Sequence, residues 1–408
     1  MSEVLVEQVS VSAEEDARRR ARFPVGALLA LEDLSDAGRE SAVDALREVE
    51  PVSWVPAIGG WVVTSREGMR ASLKRDFLTV ESSANLVRAS LGRMMLTVDG
   101  EEHDRLRKPI ERPFKPVAVQ QSYGTAIEEL VDSLIDDFVG SGRTQLDTSF
   151  ASPFAVRMAG TALGLSLGEV TKIDGIYAAL AGGMVYDGDP APLRLAESAR
   201  AELDAILHDE LERNRTHPGL SLTSELVHDS EGLTDEEIVG QLRVVMFGAI
   251  ETIQASVLTI LYLLLRHRDQ LDLVLSDPDL VGNAHEEARR LVPPVAMVER
   301  WTRVPVDLLG VDIPAGEFVM VSILGANRDP LTFDDPTTFD VLRRNAHLSM
   351  SFSFGVHACL GIHLARLQTT IALRQLLTRL PGLELVSAEP PAGFAFRRPS
   401  DVVVRWDA

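Results

Sequence analysis

Phe352-Ser353-Phe354-Gly355-Val356-His357-Ala358-Cys359-Leu360-Gly361-Ile362-His363-Leu364-Ala365-Arg366 sets the only cysteine of 408 residues in a glycine-bearing loop ahead of a helical pattern. Free N–H groups and a partial positive charge at a helix N-terminus favour thiolate over thiol. Gly355 permits a tight turn, and Gly361 leaves room beside the sulfur for a flat ligand. From the residues alone two readings stand: a thiolate ligand, or a buried structural cysteine.

Upstream, Thr234-Asp235-Glu236-Glu237 has the spacing of a capping box. It predicts a helix of about 32 residues, roughly 48 Å long, whose second half is apolar on nearly every face and therefore buried. Asp277-Pro278 predicts another helix start, with the helix ended by Pro293-Pro294. Short β-prone runs lie at 52–58, 60–64, 304–309 and 318–323. A last helix is expected over about 360–380. The architecture read from these patterns is mainly α with small β sheets, with a polar tail over residues 1–20 and a single domain over 21–408.

The acidic balance, 61 Asp+Glu against 40 Lys+Arg and a net charge of −21, argues against nucleic-acid binding, which needs a basic surface. One cysteine leaves no internal disulfide and fits a reducing cytoplasm. The N-terminus lacks the apolar region of a secretory leader. The longest apolar run, Ile253–Leu265, has 13 residues, fewer than the about 20 a bilayer needs. No membrane attachment is expected.

The cysteine loop resembles the haem-binding loop of the cytochrome P-450 family, F-G-x-G-x-H-x-C-x-G, through Phe352, Gly355, His357, Cys359 and Gly361, followed by its L-A-R at Leu364-Ala365-Arg366. Ser353 stands where the pattern has its first glycine. Other motifs follow in the family's order over nearly the whole chain. Glu287-Ala288-Arg289-Arg290 is similar to E-x-x-R, with Glu286 an overlapping start, and Arg343 resembles the third member of that structural triad. Asp99-Gly100-Glu101-Glu102-His103 with Arg107 looks like D-G-x-x-H-x-x-x-R. Gly248-Ala249-Ile250-Glu251-Thr252 is similar to the oxygen-activating [AG]-G-x-[DE]-T, with Ala249 in place of the second glycine.

The resemblance implies a triangular helical prism around a buried haem b, with Cys359 as the axial thiolate on iron. His103, Arg107, Arg300 and His347 are then expected to hold the propionates, although His347 lies two residues further from Cys359 than the pattern has it. Glu251 and Thr252 are the expected proton relay. Without the family context, the Thr252 hydroxyl reads as bonded back to the carbonyl four residues earlier. The implied reaction is reductive activation of O2 and insertion of one oxygen atom into a C–H bond. Its electrons come from NAD(P)H through a separate ferredoxin and ferredoxin reductase, because no flavin or iron–sulfur segment is present.

Arg105, Arg107, Lys108, Arg112 and Lys115 form a basic cluster suited to an acidic electron-transfer partner. By family position the pocket is lined by Phe247, Ala249, Ile250, Val295, Val298, Phe394 and Phe396, with 80–96 as its cover. That lining implies a small to medium hydrophobic substrate: an aromatic ether, since the C-terminal segment resembles small-methoxyaromatic O-demethylases, or a natural product. A peroxide-driven peroxygenase and a non-catalytic haem-thiolate sensor or carrier are the competing readings.

Overall fold

The structure is a computed structural model describing residues 11–35, 38–74, 77–184, 191–230 and 232–407. Ten helices of ten or more residues occur among them: α1 (Ala13–Arg22), α2 (Arg39–Val49), α3 (Gly100–Glu111), α4 (Pro116–Asp136), α5 (Ser152–Leu163), α6 (Leu167–Gly182), α7 (Ala191–Thr216), α8 (Asp235–Arg266), α9 (Val281–Leu291) and α10 (Ile362–Arg379). The reciprocal cap predicted for α8 forms. The Thr234 hydroxyl accepts from the Glu237 N–H at 3.3 Å, and the Glu237 carboxylate accepts from the Thr234 N–H at 3.0 Å.

By length and composition α8 is able to cross a bilayer, which corrects the count based on its uninterrupted apolar run, but 72% of its most apolar window is buried inside the fold. It is the central strut of the helical core, packing on α5, α7, α9 and α10. The helix runs unbroken through Gly248–Thr252.

Among the described residues, ten strands make three small sheets. β1 (Val52–Val55), β2 (Gly60–Val63), β3 (Leu78–Thr79), β5 (Met297–Thr302) and β8 (Phe318–Ser322) form a five-stranded sheet in the order β1-β2-β8-β5-β3, parallel only between β2 and β8. Trp61, Val63, Val319 and Val321 face one apolar cluster and Val62 and Met320 the other, so this sheet is covered on both sides. β4 (Arg143–Gln145), β9 (Glu384–Ala392) and β10 (Arg398–Arg405) form the second sheet. β6 (Val306–Leu308) and β7 (Val311–Ile313) form a hairpin.

The polar tail expected over residues 1–20 is shorter than that. Residues 13–20 belong to α1, whose Arg19 is buried on the five-stranded sheet. Its guanidinium donates to both Glu317 oxygens at 2.7 and 2.8 Å and lies 4.5 Å from the Trp54 ring centroid. Residues 1–10 lie outside the described residues.

Candidate functional site

The Cys359 loop is a knot of backbone bonds. Its N–H donates to the Phe352 carbonyl at 2.8 Å, and Ala358 N–H donates to Gly355 at 3.1 Å. Gly355 has φ +78°, and a Cβ there would lie 2.3 Å from the Leu73 carbonyl, so no side chain fits. Ser353, at the position where the resemblance has glycine, also adopts a left-handed φ of +64°.

α10 begins at Ile362, after Gly361, so Cys359 precedes the first helical turn rather than entering it. Burial pushes the thiol up, which corrects the expectation that the helix N-terminus lowers it. The Gly361 N–H and the charges of Arg107, Arg289 and Arg366 act in the opposite direction. Yet Cys359 is uncovered. A sulfur surrounded by protein but touched by little of it lines an internal void.

α8 also has an open patch in its middle. Gly248 is exposed in the middle of an otherwise buried helix, and nothing lies within 4 Å of where its Cβ would be, nor of that of Gly361. Glu251 and Thr252 are partly exposed beside it, whereas Ile250 is sealed in the helical core and does not reach that patch. The Thr252 hydroxyl donates to the Gly248 carbonyl at 2.5 Å, so in this state it is bonded back along the helix. Glu251 accepts from Arg398 Nε at 2.8 Å, and Arg398 also pairs with Asp147 at 3.2 Å.

At one edge of the Cys359 void the structure gathers donors. The His103 and His357 rings lie 4.5 Å apart, edge to face. His357 Nε2 is 2.9 Å from Asp99 Oδ1. Burial raises the Asp99 carboxyl, but bonds from His357, Thr79 and Val80 outweigh it and hold it well below the usual range. His103 is buried with Nε2 unpartnered. Arg300, on β5, is buried, and its one acceptor among the described residues is its neighbour's carbonyl, Glu299, at 2.7 Å; burial lowers it to about 10. Arg107 is partly buried and pairs with Glu111 at 2.9 Å. This donor set fits a haem: a thiolate ligand, an open slot, and buried cationic groups short of the anions that propionates supply.

His347 is not part of this gathering. It is exposed on a 3-10 turn, with Nδ1 3.2 Å from the Arg344 carbonyl, because the two extra residues before Cys359 carry it outward. The expected basic docking cluster is largely neutralised: Arg105 pairs with Glu102 and Glu237, Arg107 with Glu111, and Arg112 with Asp229. Lys108 and Lys115 are the two of the five with no carboxylate partner among the described residues.

Among the pocket residues, Phe247 lies between Tyr177 and Phe396, with ring centroids at 5.8 and 5.6 Å. Val295 forms a β-bridge with Phe396, and Ala249 packs against the helical core. Val298 packs in the cluster on one face of the five-stranded sheet. Phe394 departs from them. It packs on the other side of that sheet, beneath Arg39, which donates to the Gly393 and Phe394 carbonyls.

The triad forms as expected. Arg290 donates to both Glu287 oxygens at 2.6 and 2.8 Å, and Arg343 Nε donates to Oε1 at 2.9 Å. The overlapping frame is occupied as well: Glu286 accepts from Arg366 at 2.7 Å and pairs with Arg289. Sequence reasoning assigned no role to Arg289, Arg398 or Tyr177. Only the second E-x-x-R register, Glu286 to Arg289, signalled one of them.

Comparison with known proteins agrees with this geometry. The sequence profile of the cytochrome P450 family matches residues 197–385. The cytochrome P450 monooxygenase PikC of Streptomyces venezuelae is 32% identical over 86% of this chain and 88% of its own. The 6-deoxyerythronolide B hydroxylase of Saccharopolyspora erythraea is 34% identical over 83% and 88%. Among solved structures, P450BioI in complex with a hexadec-9Z-enoic acid-ligated acyl carrier protein superposes with a TM-score of 0.85 at 29% identity, covering 91% of this chain and 98% of that one.

Proposed function

The chain belongs to the cytochrome P450 family, as an oxygen-incorporating oxidoreductase, and on that premise we propose that it is a haem-thiolate monooxygenase hydroxylating or O-dealkylating a small to medium hydrophobic substrate. The observation that carries this is Cys359, held uncovered beside an internal slot whose edge gathers His103, His357 and Arg300. Cys359 supplies the thiolate, while His103, Arg107, Arg300 and His357 hold the anionic edge of the haem. Bound haem supplies activation of O2 and transfer of one oxygen atom to carbon. Electrons reach it from NAD(P)H through a separate ferredoxin and its reductase, in the cytoplasm, with the fold from α1 onward working as one domain.

Glu251 and Thr252 sit where protons must enter. Thr252 is bonded to Gly248 and Glu251 to Arg398 at rest, so relay requires both to exchange those partners for water or substrate. The Tyr177–Phe247–Phe396 stack supports a substrate with an apolar ring or macrocycle. A natural product is favoured over an aromatic ether, because 6-deoxyerythronolide B hydroxylase is named for one.

The test is the visible spectrum of the purified, dithionite-reduced protein under carbon monoxide. The red-shifted Soret band of a thiolate ligand is expected, and Cys359→Ser should abolish it. A folded, haem-supplied protein without that band would exclude the assignment of Cys359.

A further inference from the structure

Behind the ligand loop, two guanidinium groups stand against a single carboxylate among the described residues. Arg289 is 2% exposed, and its guanidinium stands 4.0 Å from the Phe352 ring centroid; that of Arg366 stands 5.3 Å from the same ring. Both arginines pair with one carboxylate, Glu286. Arg289 Nε and Nη1 have no partner. His285, one turn earlier on α9, is kept neutral by burial and brings no anion. Two guanidiniums thus share one negative charge, and an uncompensated charge is costly away from water. Phe352 carries the arrangement to the ligand, because its carbonyl accepts the Cys359 N–H. The fields of Arg289 and Cys359 act on one another: each favours the other's charged form.

We infer that Arg289 is a positioning residue for the iron ligand, fixing the Phe352 ring behind the Cys359 loop and holding a positive charge against the ligand sulfur, so that it sets how readily bound iron takes its first electron. This rests on the haem-thiolate reading above. Accepting one electron from the ferredoxin makes the site more negative by one charge. A fixed buried cation stabilises the reduced state more than the oxidised one, so losing it makes reduction harder.

Equilibrium redox titration of the haem-loaded protein tests this, with the reduced carbon monoxide spectrum as the check on ligation. At the wild-type midpoint, Arg289→Leu should raise the ferric-to-ferrous ratio about tenfold, a shift of about 59 mV for one electron. Arg289→Lys should stay near wild type. Glu286→Gln, which removes the shared anion, should shift the ratio toward ferrous. Opposite signs separate charge from packing damage. Should Arg289→Leu fail to bind haem, Glu286→Gln and Arg289→Lys still decide. Wild-type potentials in Arg289→Leu and Glu286→Gln, or shifts of the same sign in both, would overturn the inference while leaving the haem-thiolate reading intact. Absence of the thiolate band from the wild-type protein would remove both.

Discussion

Ser353 concentrates the strain of the ligand loop in one residue. A side chain at φ +64° costs about 1–2 kcal/mol, and its hydroxyl is buried without a partner, which adds a desolvation penalty of similar size. Glycine removes both, against a loss of about 0.5–1 kcal/mol from its freer unfolded chain. The balance favours glycine, so Ser353→Gly should stabilise the haem-loaded protein by about 1 kcal/mol, read as a higher urea midpoint at unchanged slope. A lower midpoint would mean that the serine has a partner in solution. Gly355→Ala should go the other way, because its Cβ meets the Leu73 carbonyl. The sequence flagged Ser353 as a departure, but only its φ shows that the departure is costly.

At the scale of elements, what was legible followed from local chemistry, and what was not followed from distance along the chain. The α8 cap involves residues three apart and was readable. β5 was not, although Arg300 on it was found: Glu299 and Arg300 interrupt its alternation, and its register is set by Phe318–Ser322 and Leu78–Thr79. α1 reads as a tail because the partner of Arg19 is Glu317, on the far side of the chain. Glu287 was legible within α9, but its full reach was not. Its tie to Arg343 was named through the resemblance, but not the backbone around it: Glu287 also accepts from the Asp340 N–H, while Arg290 donates to the Asn327, Pro336 and Thr338 carbonyls. Glu287→Gln leaves two buried guanidiniums without their anion. It should cost about 3–5 kcal/mol, measured as a fall in urea midpoint together with loss of haem retention. A cost below about 1 kcal/mol, the size of a surface pair, would show that the triad is not what anchors this backbone.

Over the whole molecule, stability against acid tests whether the core near the site is as dry as its packing implies. His285 is buried in α9 with Nε2 unpartnered, and burial, with Arg289 on its own helix and Arg366 on α10 facing it, holds its pKa well below 6.5. The sign follows from proton counting. Above pH 6.5 neither the folded nor the unfolded chain protonates this ring. As pH falls below 6.5 the unfolded chain binds a proton that the folded one refuses, so folding loses up to about 1.4 kcal/mol per pH unit from this group until the folded pKa is reached. Paired carboxylates such as Asp99 act much lower: their stabilisation is full above the usual carboxylate pKa and fades only as pH drops below it. Between pH 6.5 and 5 the two effects are therefore separable. His285→Leu should flatten the fall in urea midpoint across that window relative to wild type, while leaving the loss below pH 4 in place. Parallel curves for the two proteins would mean that water or an anion reaches His285, and with it the cationic cluster behind Phe352.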